Sequence, residues 1–248
     1  MKTIKLTKDN IYQGHLLLVN DEYPFLQELS SNDLIKVYDH QSMQRDAARL
    51  LFKIFDHLQC HSQIVCTSGY RSYEEQKNLY IQSLKEHGEA YTQQFVALPH
   101  CSEHETGLAI DVALVQETID QICPDFPYDG ICQQFRDLAY DYGYIERYSE
   151  YKQHITHIAK EPWHFRYVGY PHSQIMKKEN LCLEEYHDFI KNYTLYHPYT
   201  YVANCHVVNI FYVPINHEKT ICLRDDAIVQ ISGNNSDGVI VTAWRTCL

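Results

Sequence analysis

The segment SEHETGLAID, residues 102–111, decides how this sequence is interpreted. It places His104 and Asp111 on either side of Gly107. From Gly107 onward, large apolar residues alternate with small or acidic ones, which predicts a β-strand with one face in the core. Asp111 then projects from a face whose neighbours are all small, and a buried carboxylate needs a partner. The segment is therefore either part of a metal site or a polar loop that leads into a buried strand.

Composition sets the broad class of the protein. Its 248 residues, of which 45% are hydrophobic and 21% charged, are typical of one globular domain with or without an appendage. The formal net charge of −11 argues against nucleic-acid binding, which requires clustered Lys and Arg. No run approaches the roughly 18 apolar residues that cross a bilayer. The apolar run LLLV is shorter than the roughly 7–15 residues of a signal-peptide core, so we expect a cytoplasmic protein without a membrane span.

Nine cysteines are scattered along the chain, and no two of them form a CxxC pair. This spacing argues against a cysteine-rich zinc module. Several of the cysteines stand in apolar, strand-like segments, where a free thiol behaves as a small hydrophobic side chain. We expect reduced thiols in a reducing compartment.

Hydrophobic periodicity predicts the elements around the segment. An i, i+3, i+4, i+7 pattern over residues 42–59 predicts an amphipathic helix with Ser42 as its N-cap. The run SQIVCTSGY predicts a buried strand, and Ser72 with Glu75 forms a capping box for a helix that ends at Gly88. The other predicted elements are a long loop over 89–103, a helix over 129–142, a strand in EPWHFRYVG (161–169) and short helices near 174–180 and 183–193.

The end of the sequence has a different character. Strand-like runs alternate there with turn signals, and GNNSDG, residues 233–238, has the composition of a hairpin turn. This part contains no cluster of catalytic residue types. We therefore divide the chain into a catalytic domain, residues 1–180, and a C-terminal extension of a helix and β-strands, residues 181–248.

Three residues from distant parts of the sequence have the chemistry of a hydrolytic zinc site. Such a site requires three protein ligands and one open position, and His104, Asp111 and His164 offer nitrogen, oxygen and nitrogen. Glu161 precedes His164 by three residues and is suited to act as a general base and not as a ligand. Residues three apart on a regular strand face opposite sides, so both can point toward the site only if the strand is irregular. Pro162 is where that irregularity would lie.

Other polar residues stand close to these ligands in the sequence. Arg71 directly precedes a helix N-cap, and its guanidinium group could meet a developing oxyanion or a bound carboxylate. Gln76 lies near the start of the same helix, and Ser102 could hold a substrate carboxylate. Each residue alone is a weak signal, because a single histidine on a strand is more often structural than a ligand. His154 and His157, at i, i+3 spacing, are rival ligands without a supporting carboxylate pattern.

Three blocks of the sequence, taken together, resemble a known family. The blocks SGYRSYEEQ (68–76), SEHETGLAID (102–111) and EPWHFRYVG (161–169) are similar in order and spacing to the signature blocks of the VanY/VanXY group. Its members are zinc-dependent D-alanyl-D-alanine carboxypeptidases and dipeptidases linked to glycopeptide (vancomycin) resistance. The resemblance covers roughly residues 40–180, and the pattern S-x-H-x-x-G-x-A-x-D with a later E-x-W-H is specific.

The resemblance implies a fold and a role for each candidate residue. The fold is α+β: a small antiparallel sheet flanked by helices carries the zinc site, and a β-rich C-terminal extension follows, as in cytoplasmic VanXY-type members. One Zn²⁺ ion is the implied cofactor. The implied roles are metal binding for His104, Asp111 and His164, catalysis for Glu161 as base and Arg71 as transition-state stabiliser, and substrate binding for Gln76 and Ser102. One departure from the family pattern is His100, where a smaller residue is expected; an exposed loop position is its simpler interpretation.

The resemblance also implies hydrolysis of the peptide bond before a C-terminal D-alanine. The expected substrates are the D-Ala-D-Ala dipeptide, the cytoplasmic pentapeptide precursor of peptidoglycan, or both. One alternative is an L,D-carboxypeptidase or endolysin-like endopeptidase with the same zinc site. Another is a non-catalytic zinc protein that only binds peptide, which the presence of Glu161 argues against. The C-terminal extension could separately serve as a partner-binding or dimer module.

Overall fold

The computed structural model describes residues 1–38, 40–203 and 205–246, so Cys247 lies outside the described residues. Small antiparallel sheets combined with helices confirm the predicted α+β class. The strands are β1 (Lys2–Leu6), β2 (Leu34–Lys36), β3 (Ser42–Gln44), β4 (Ile64–Ser68), β5 (Ala109–Leu114), β6 (Tyr144–Tyr148), β7 (Glu161–Tyr167), β8 (Tyr199–Ala203), β9 (His206–Pro214), β10 (Lys219–Leu223), β11 (Ile228–Gly233) and β12 (Gly238–Thr246). The helices are α1 (Arg45–Leu58), α2 (Tyr73–His87), α3 (Glu89–Phe95), α4 (Gly130–Ala139), α5 (Gln153–Thr156), α6 (His172–Glu179) and α7 (Leu183–Ile190).

The chain forms two compact units. One is Val19–Cys182, and the other combines Met1–Leu18 with Leu183–Leu248. The division of the chain into a catalytic domain and an extension near residue 180 stays a prediction about function. The packing units differ from that division because the first 18 residues belong with the C-terminal strands.

The larger unit is built on a four-stranded antiparallel sheet with the order β4–β5–β7–β6. Within it, Ile110 lies opposite Phe165 and Asp111 lies opposite His164. The alternation predicted for this segment is confirmed, because Ile110 is fully buried in the core that the sheet shares with α1 and α4. The edge-to-face contact of Phe135 with Phe165, whose ring centroids lie 5.1 Å apart, joins α4 to the sheet.

The other face of β5 is buried as well. Ala109, Asp111 and Ala113 all have little exposed surface. Ala109 lies directly opposite Arg166 on β7, and the Arg166 side chain is fully buried. The small residues that the sequence places on this face therefore leave room for a buried arginine and for the carboxylate of Asp111.

Helix α1 begins later than the periodicity predicts, and the assignment of Ser42 as its N-cap is wrong. Ser42 pairs with Lys36 in the hairpin β2–β3, and the helix begins at Arg45 after Gln44. Strand pairing with residues 34–36 is a contact outside the predicted helix. The apolar pattern of the helix itself carries no sign of it.

The predicted loop over residues 89–103 contains helix α3, so that prediction is wrong for its first half. Thr92 is fully buried, donates its hydroxyl to the carbonyl of Gly88 at 2.9 Å and lies 2.8 Å from the hydroxyl of Ser83. These polar contacts attach α3 to the end of α2. A prediction from apolar periodicity does not detect a helix that is anchored in this way.

The smaller unit contains a four-stranded sheet with the order β11–β12–β9–β8 and a two-stranded sheet of β1 with β10. These strands confirm the predicted β-rich C-terminal region, and the turn at residues 233–238 joins β11 to β12. Strand β1 pairs antiparallel with β10 along its whole length. The sequence did not predict this pairing, because its two strands come from opposite ends of the chain.

Among the described residues, no helix combines the length and the apolar character that a membrane crossing requires. The cysteines within the described residues are free thiols, as expected from their spacing.

Gly233, at the end of β11, lies tightly against the N-terminal segment. A Cβ atom at this position would come 1.9 Å from the carbonyl oxygen of Ile11. We expect Gly233→Ala to lower the free energy of unfolding by at least about 1–3 kcal/mol, the usual cost of overpacking, as measured by denaturant unfolding. Ser236→Ala in the same turn is the control and should change little. An unchanged unfolding midpoint for Gly233→Ala would contradict the close approach.

Candidate metal centre

Three buried side chains converge where a short turn meets the sheet. His104 lies in a 3-10 turn, Glu103–Thr106, whereas Asp111 lies on β5 and His164 lies opposite it on β7. Gly107 ends the turn with φ +66°, a left-handed conformation that favours glycine. Its N–H donates to the carbonyl of His104 at 3.1 Å. The turn therefore closes on the residue that carries the first imidazole.

The nitrogen and oxygen atoms of these side chains form a compact group. His104 Nε2 lies 3.2 Å from Asp111 Oδ2, and His164 Nδ1 lies 2.9 Å from Asp111 Oδ1. One donor atom from each residue lies within 4.8 Å of the others. His104 Nδ1 lies 2.7 Å from the carbonyl oxygen of Gly69, so Nδ1–H donates there and Nε2 faces the group. Two imidazole nitrogens and one carboxylate oxygen are a donor set that fits zinc.

This group holds charge although it is buried. Burial opposes the charge on Asp111, but His104 and His164 outweigh it and hold the pKa of this carboxyl far below its usual range. Burial lowers the pKa of His104 to about 4, which keeps the imidazole neutral, as a metal ligand must be. Burial also acts against the charge on His164, but hydrogen bonds to Asp111 and Glu103 raise its pKa to about 9. A metal cation would take the place of that proton.

Glu161 reaches the same group through an irregularity in β7. On β6, Glu146 pairs with Phe165 and Tyr148 pairs with Glu161. These two pairs are two residues apart on β6 but four residues apart on β7. This bulge confirms the irregularity that the sequence predicts at Pro162. Glu161 Oε2 lies 3.7 Å from His164 Nδ1, and burial raises the pKa of Glu161 to about 8. Such a carboxyl can exchange a proton near neutral pH.

Arg71 is held beside the group by the start of α2. The predicted capping box is confirmed, with Ser72 Oγ accepting the Glu75 N–H at 3.3 Å. Arg71 Nη1 donates to Gln76 Oε1 at 2.7 Å, and its Nη2 lies 3.8 Å from Asp111 Oδ2. The start of α2 therefore fixes both the guanidinium group of Arg71 and the amide of Gln76 that orients it.

The predicted site residues all line one cleft of about 50 Å³. They are Arg71, Gln76, Ser102, His104, Asp111, Glu161 and His164. Gln76 Nε2 donates to the carbonyl of Ala97 at 2.7 Å, so its amide is part of the cleft wall. Ser102 is buried in the same wall. His100 does not line the cleft; its ring stacks on Tyr73 with centroids 4.4 Å apart.

The sequence interpretation missed Glu103 and the two arginines that face it. Glu103 Oε1 lies 2.8 Å from Arg147 Nε and 2.7 Å from Arg166 Nη1, and its Oε2 lies 3.5 Å from His164 Nε2. Burial opposes the charge on Glu103, but the two arginines outweigh it and hold its pKa well below the usual range. The sequence did contain a signal for this contact. The strands YIERY and EPWHFRY each contain one arginine, and a buried arginine requires an acidic partner.

Comparison with known proteins identifies the family. A family model for VanY, a D-alanyl-D-alanine carboxypeptidase, matches residues 40–170, which is more than half of the chain. The chain belongs to the VanY family. This VanY-family protein is 44% identical to the bifunctional D-Ala-D-Ala dipeptidase and D-Ala-D-Ala carboxypeptidase VanXYC of Enterococcus gallinarum, over 77% of this chain and 96% of the relative. The resemblance drawn from the three sequence blocks is confirmed.

Solved structures extend the likeness of the VanY-family protein to the whole fold. The crystal structure of the vancomycin resistance D,D-dipeptidase VanXYg, in complex with a D-Ala-D-Ala phosphinate analogue, matches with a TM-score of 0.95 and 48% identity over 98% of this chain and 99% of that one. A mutant of the D,D-pentapeptidase VanY from the VanB-type resistance cassette, in complex with Zn(II), matches with a TM-score of 0.56 and 28% identity over 69% of this chain and 98% of that one. The predicted fold and the prediction of an enzyme are confirmed.

If His104, Asp111 and His164 hold the metal, removal of the anionic ligand should remove most of it. We expect Asp111→Asn to lower the zinc bound per chain by at least about tenfold after dialysis, because the neutral amide is a poor ligand. Elemental analysis measures the metal content. Asp188→Asn, an exposed position on α7, is the matched control and should keep the native content. Native zinc content in Asp111→Asn would contradict the assignment.

Proposed function

We propose that this protein is a zinc-dependent D,D-peptidase that hydrolyses the peptide bond before a C-terminal D-alanine. Its substrates are the D-Ala-D-Ala dipeptide and peptidoglycan precursors that end in the same dipeptide. By removing them, the enzyme contributes to glycopeptide (vancomycin) resistance. The observation that carries the proposal is a buried donor set of two histidines and an aspartate, lining one cleft with Glu161 and Arg71 in a VanY-family chain.

One Zn²⁺ ion fits the proposed site. His104 Nε2, an oxygen of Asp111 and His164 Nδ1 are the atoms that would hold it. When bound, the ion supplies Lewis-acid polarisation of the scissile carbonyl and of the attacking water. The relative solved with Zn(II) supports the choice of metal. Within the described part of the chain, one cluster of this kind supports a single ion.

Glu161 is suited to move the proton during hydrolysis. Its carboxylate lies beside the donor set, where it can accept a proton from the attacking water. Because burial raises the pKa of Glu161 to about 8, this carboxylate is a stronger base than an exposed one. The proton then passes to the leaving amine. The C–N bond breaks, the hydroxyl stays on the new carboxyl group, and D-alanine leaves.

Arg71 is suited to balance the negative charge that develops on the carbonyl oxygen. Its side chain is largely shielded from water, and such shielding strengthens the attraction between a guanidinium group and an oxyanion. The bond to Gln76 fixes its direction. Gln76 and Ser102 lie on the cleft wall, where they can hold the substrate, and Ser102 is the candidate for its carboxylate.

The relatives support the proposed substrate range. The bifunctional relative supports activity on both the dipeptide and longer peptides. The structure with a D-Ala-D-Ala phosphinate analogue supports binding of the dipeptide. We place the activity in the cytoplasm, where the free dipeptide and the pentapeptide precursor both occur.

Replacing the proposed base should stop catalysis without removing the metal. We expect Glu161→Gln to lower kcat by about 10²- to 10⁴-fold, the usual contribution of a general base, while the zinc content stays native. The release of D-alanine and the zinc per chain are measured on the same sample. Glu150→Gln, an exposed glutamate in the segment before α5, should keep the parental rate. Parental turnover by zinc-loaded Glu161→Gln would refute the role.

Three defined substrates distinguish the proposed activity from its alternatives. We expect release of D-alanine from D-Ala-D-Ala and from a pentapeptide that ends in it. We expect none from a tetrapeptide whose last bond joins an L-residue to D-alanine. A chelator should abolish the release, and added zinc should restore it. Turnover of the tetrapeptide alone would support an L,D-carboxypeptidase. Turnover of none of the three would support an endopeptidase or a protein that only binds peptide.

A further inference from the structure

We propose that Glu103 is a positioning residue that holds His164 with Nδ1 toward the metal position, and that Arg147 and Arg166 hold Glu103 for this purpose. The inference rests on the proposed metal site. Glu103 is buried and takes no part in the proposed mechanism.

The two carboxylate oxygens of Glu103 have different partners. Oε1 faces both Arg147 and Arg166, at 2.8 and 2.7 Å, whereas Oε2 lies 3.5 Å from His164 Nε2. Oε2 and Nε2 are both buried, and neither has a hydrogen-bond partner within the described residues. A buried donor or acceptor without a partner is costly. The approach of these two atoms to 3.5 Å is therefore the contact that a proton on Nε2 would turn into a hydrogen bond.

The nitrogen that faces Glu103 decides which nitrogen can bind metal. A neutral imidazole carries one N–H, so a proton on Nε2 leaves the lone pair on Nδ1. Nδ1 of His164 is the nitrogen that lies 2.9 Å from Asp111 Oδ1 and thus points into the donor set. A carboxylate behind a histidine ligand selects the tautomer and raises the basicity of the ring.

The two arginines do more than neutralise a buried acid. Because both contact Oε1, the other oxygen of Glu103 is directed toward His164. Arg166 follows His164 by two residues on β7, which brings both side chains to one face, and Ala109 opposite Arg166 leaves space for it. The Arg147 guanidinium lies 4.8 Å from the centroid of the Tyr148 ring, which itself lies 5.0 Å from that of His164. His164 is therefore held at Nε2 and along its ring.

The native protein provides the first test. In full-length, zinc-loaded protein with ¹⁵N-labelled histidine, NMR of the ring nitrogens identifies which atom carries hydrogen. We expect His164 to be protonated at Nε2 and bound to zinc through Nδ1. The opposite assignment would overturn the proposal.

Substitution of Glu103 provides the second test. In Glu103→Gln, the amide oxygen should stay with the arginines, so an N–H would face Nε2 and favour the tautomer with its proton on Nδ1. We expect the Kd for zinc, measured by chelator competition, to rise by about 10- to 100-fold. The single variant removes one counter-charge from two buried arginines. If it fails to fold, Glu103→Gln with Arg147→Gln restores the net charge of the trio and is measured in the same way.

Glu105→Gln is the matched control. Glu105 lies in the same turn, is similarly buried and accepts the His100 N–H at 2.7 Å, away from the donor set. This variant should lose stability but bind zinc as the native protein does. A folded Glu103 variant whose Kd for zinc rises by less than about tenfold would contradict the proposal. The measurement uses no substrate, so failure of the native enzyme to release D-alanine would refute the proposed function separately.

Discussion

The cross-strand pair of Asp111 and His164 is the contact on which the rest of the site depends. These residues are 53 positions apart in the sequence, and they meet because β5 and β7 are antiparallel neighbours. Side chains directly opposite one another in such a pair share one face of the sheet. A slip of one residue by either strand would turn its member of the pair to the opposite face and separate the two side chains. Once the register is set, a single turn ended by Gly107 is enough to add His104.

The same region buries several acidic side chains, and their surroundings shift their pKa values in different directions. Glu103, Asp111 and Glu161 are all nearly inaccessible to water, and an uncompensated charge there would cost several kcal/mol. Positive partners offset the charge on Glu103 and Asp111, and the pKa values of both fall. Burial dominates at Glu161, and its pKa rises. Neighbouring carboxyl groups with opposite pKa shifts suit a site that needs both a permanently charged ligand and a group that takes up and releases a proton.

The sequence predicted which residues line the cleft better than it predicted the bounds of the surrounding helices and strands, for a physical reason. The alternation in β5, the capping box at Ser72 and the bulge near Pro162 are all local properties of short segments. Contacts that the apolar pattern of each segment does not report decided the rest. Ser42 joins a hairpin, and α3 is anchored by polar contacts to the end of α2. Glu103 resembles an exposed acid at the start of a turn, and its contacts with the distant Arg147 and Arg166 show that it is not.

The pairing of β1 with β10 has a consequence for the order in which the chain matures. Residues 2–6 leave the ribosome more than 200 residues before their partners at 219–223. At bacterial or eukaryotic elongation rates of about 5–20 residues per second, the delay is roughly 10–40 s. During that time the N–H and C=O groups of β1 that later pair with β10 have no strand partner, and such groups can pair with another chain. The two-stranded sheet of the smaller unit can therefore form only after more than 200 residues have been added beyond β1.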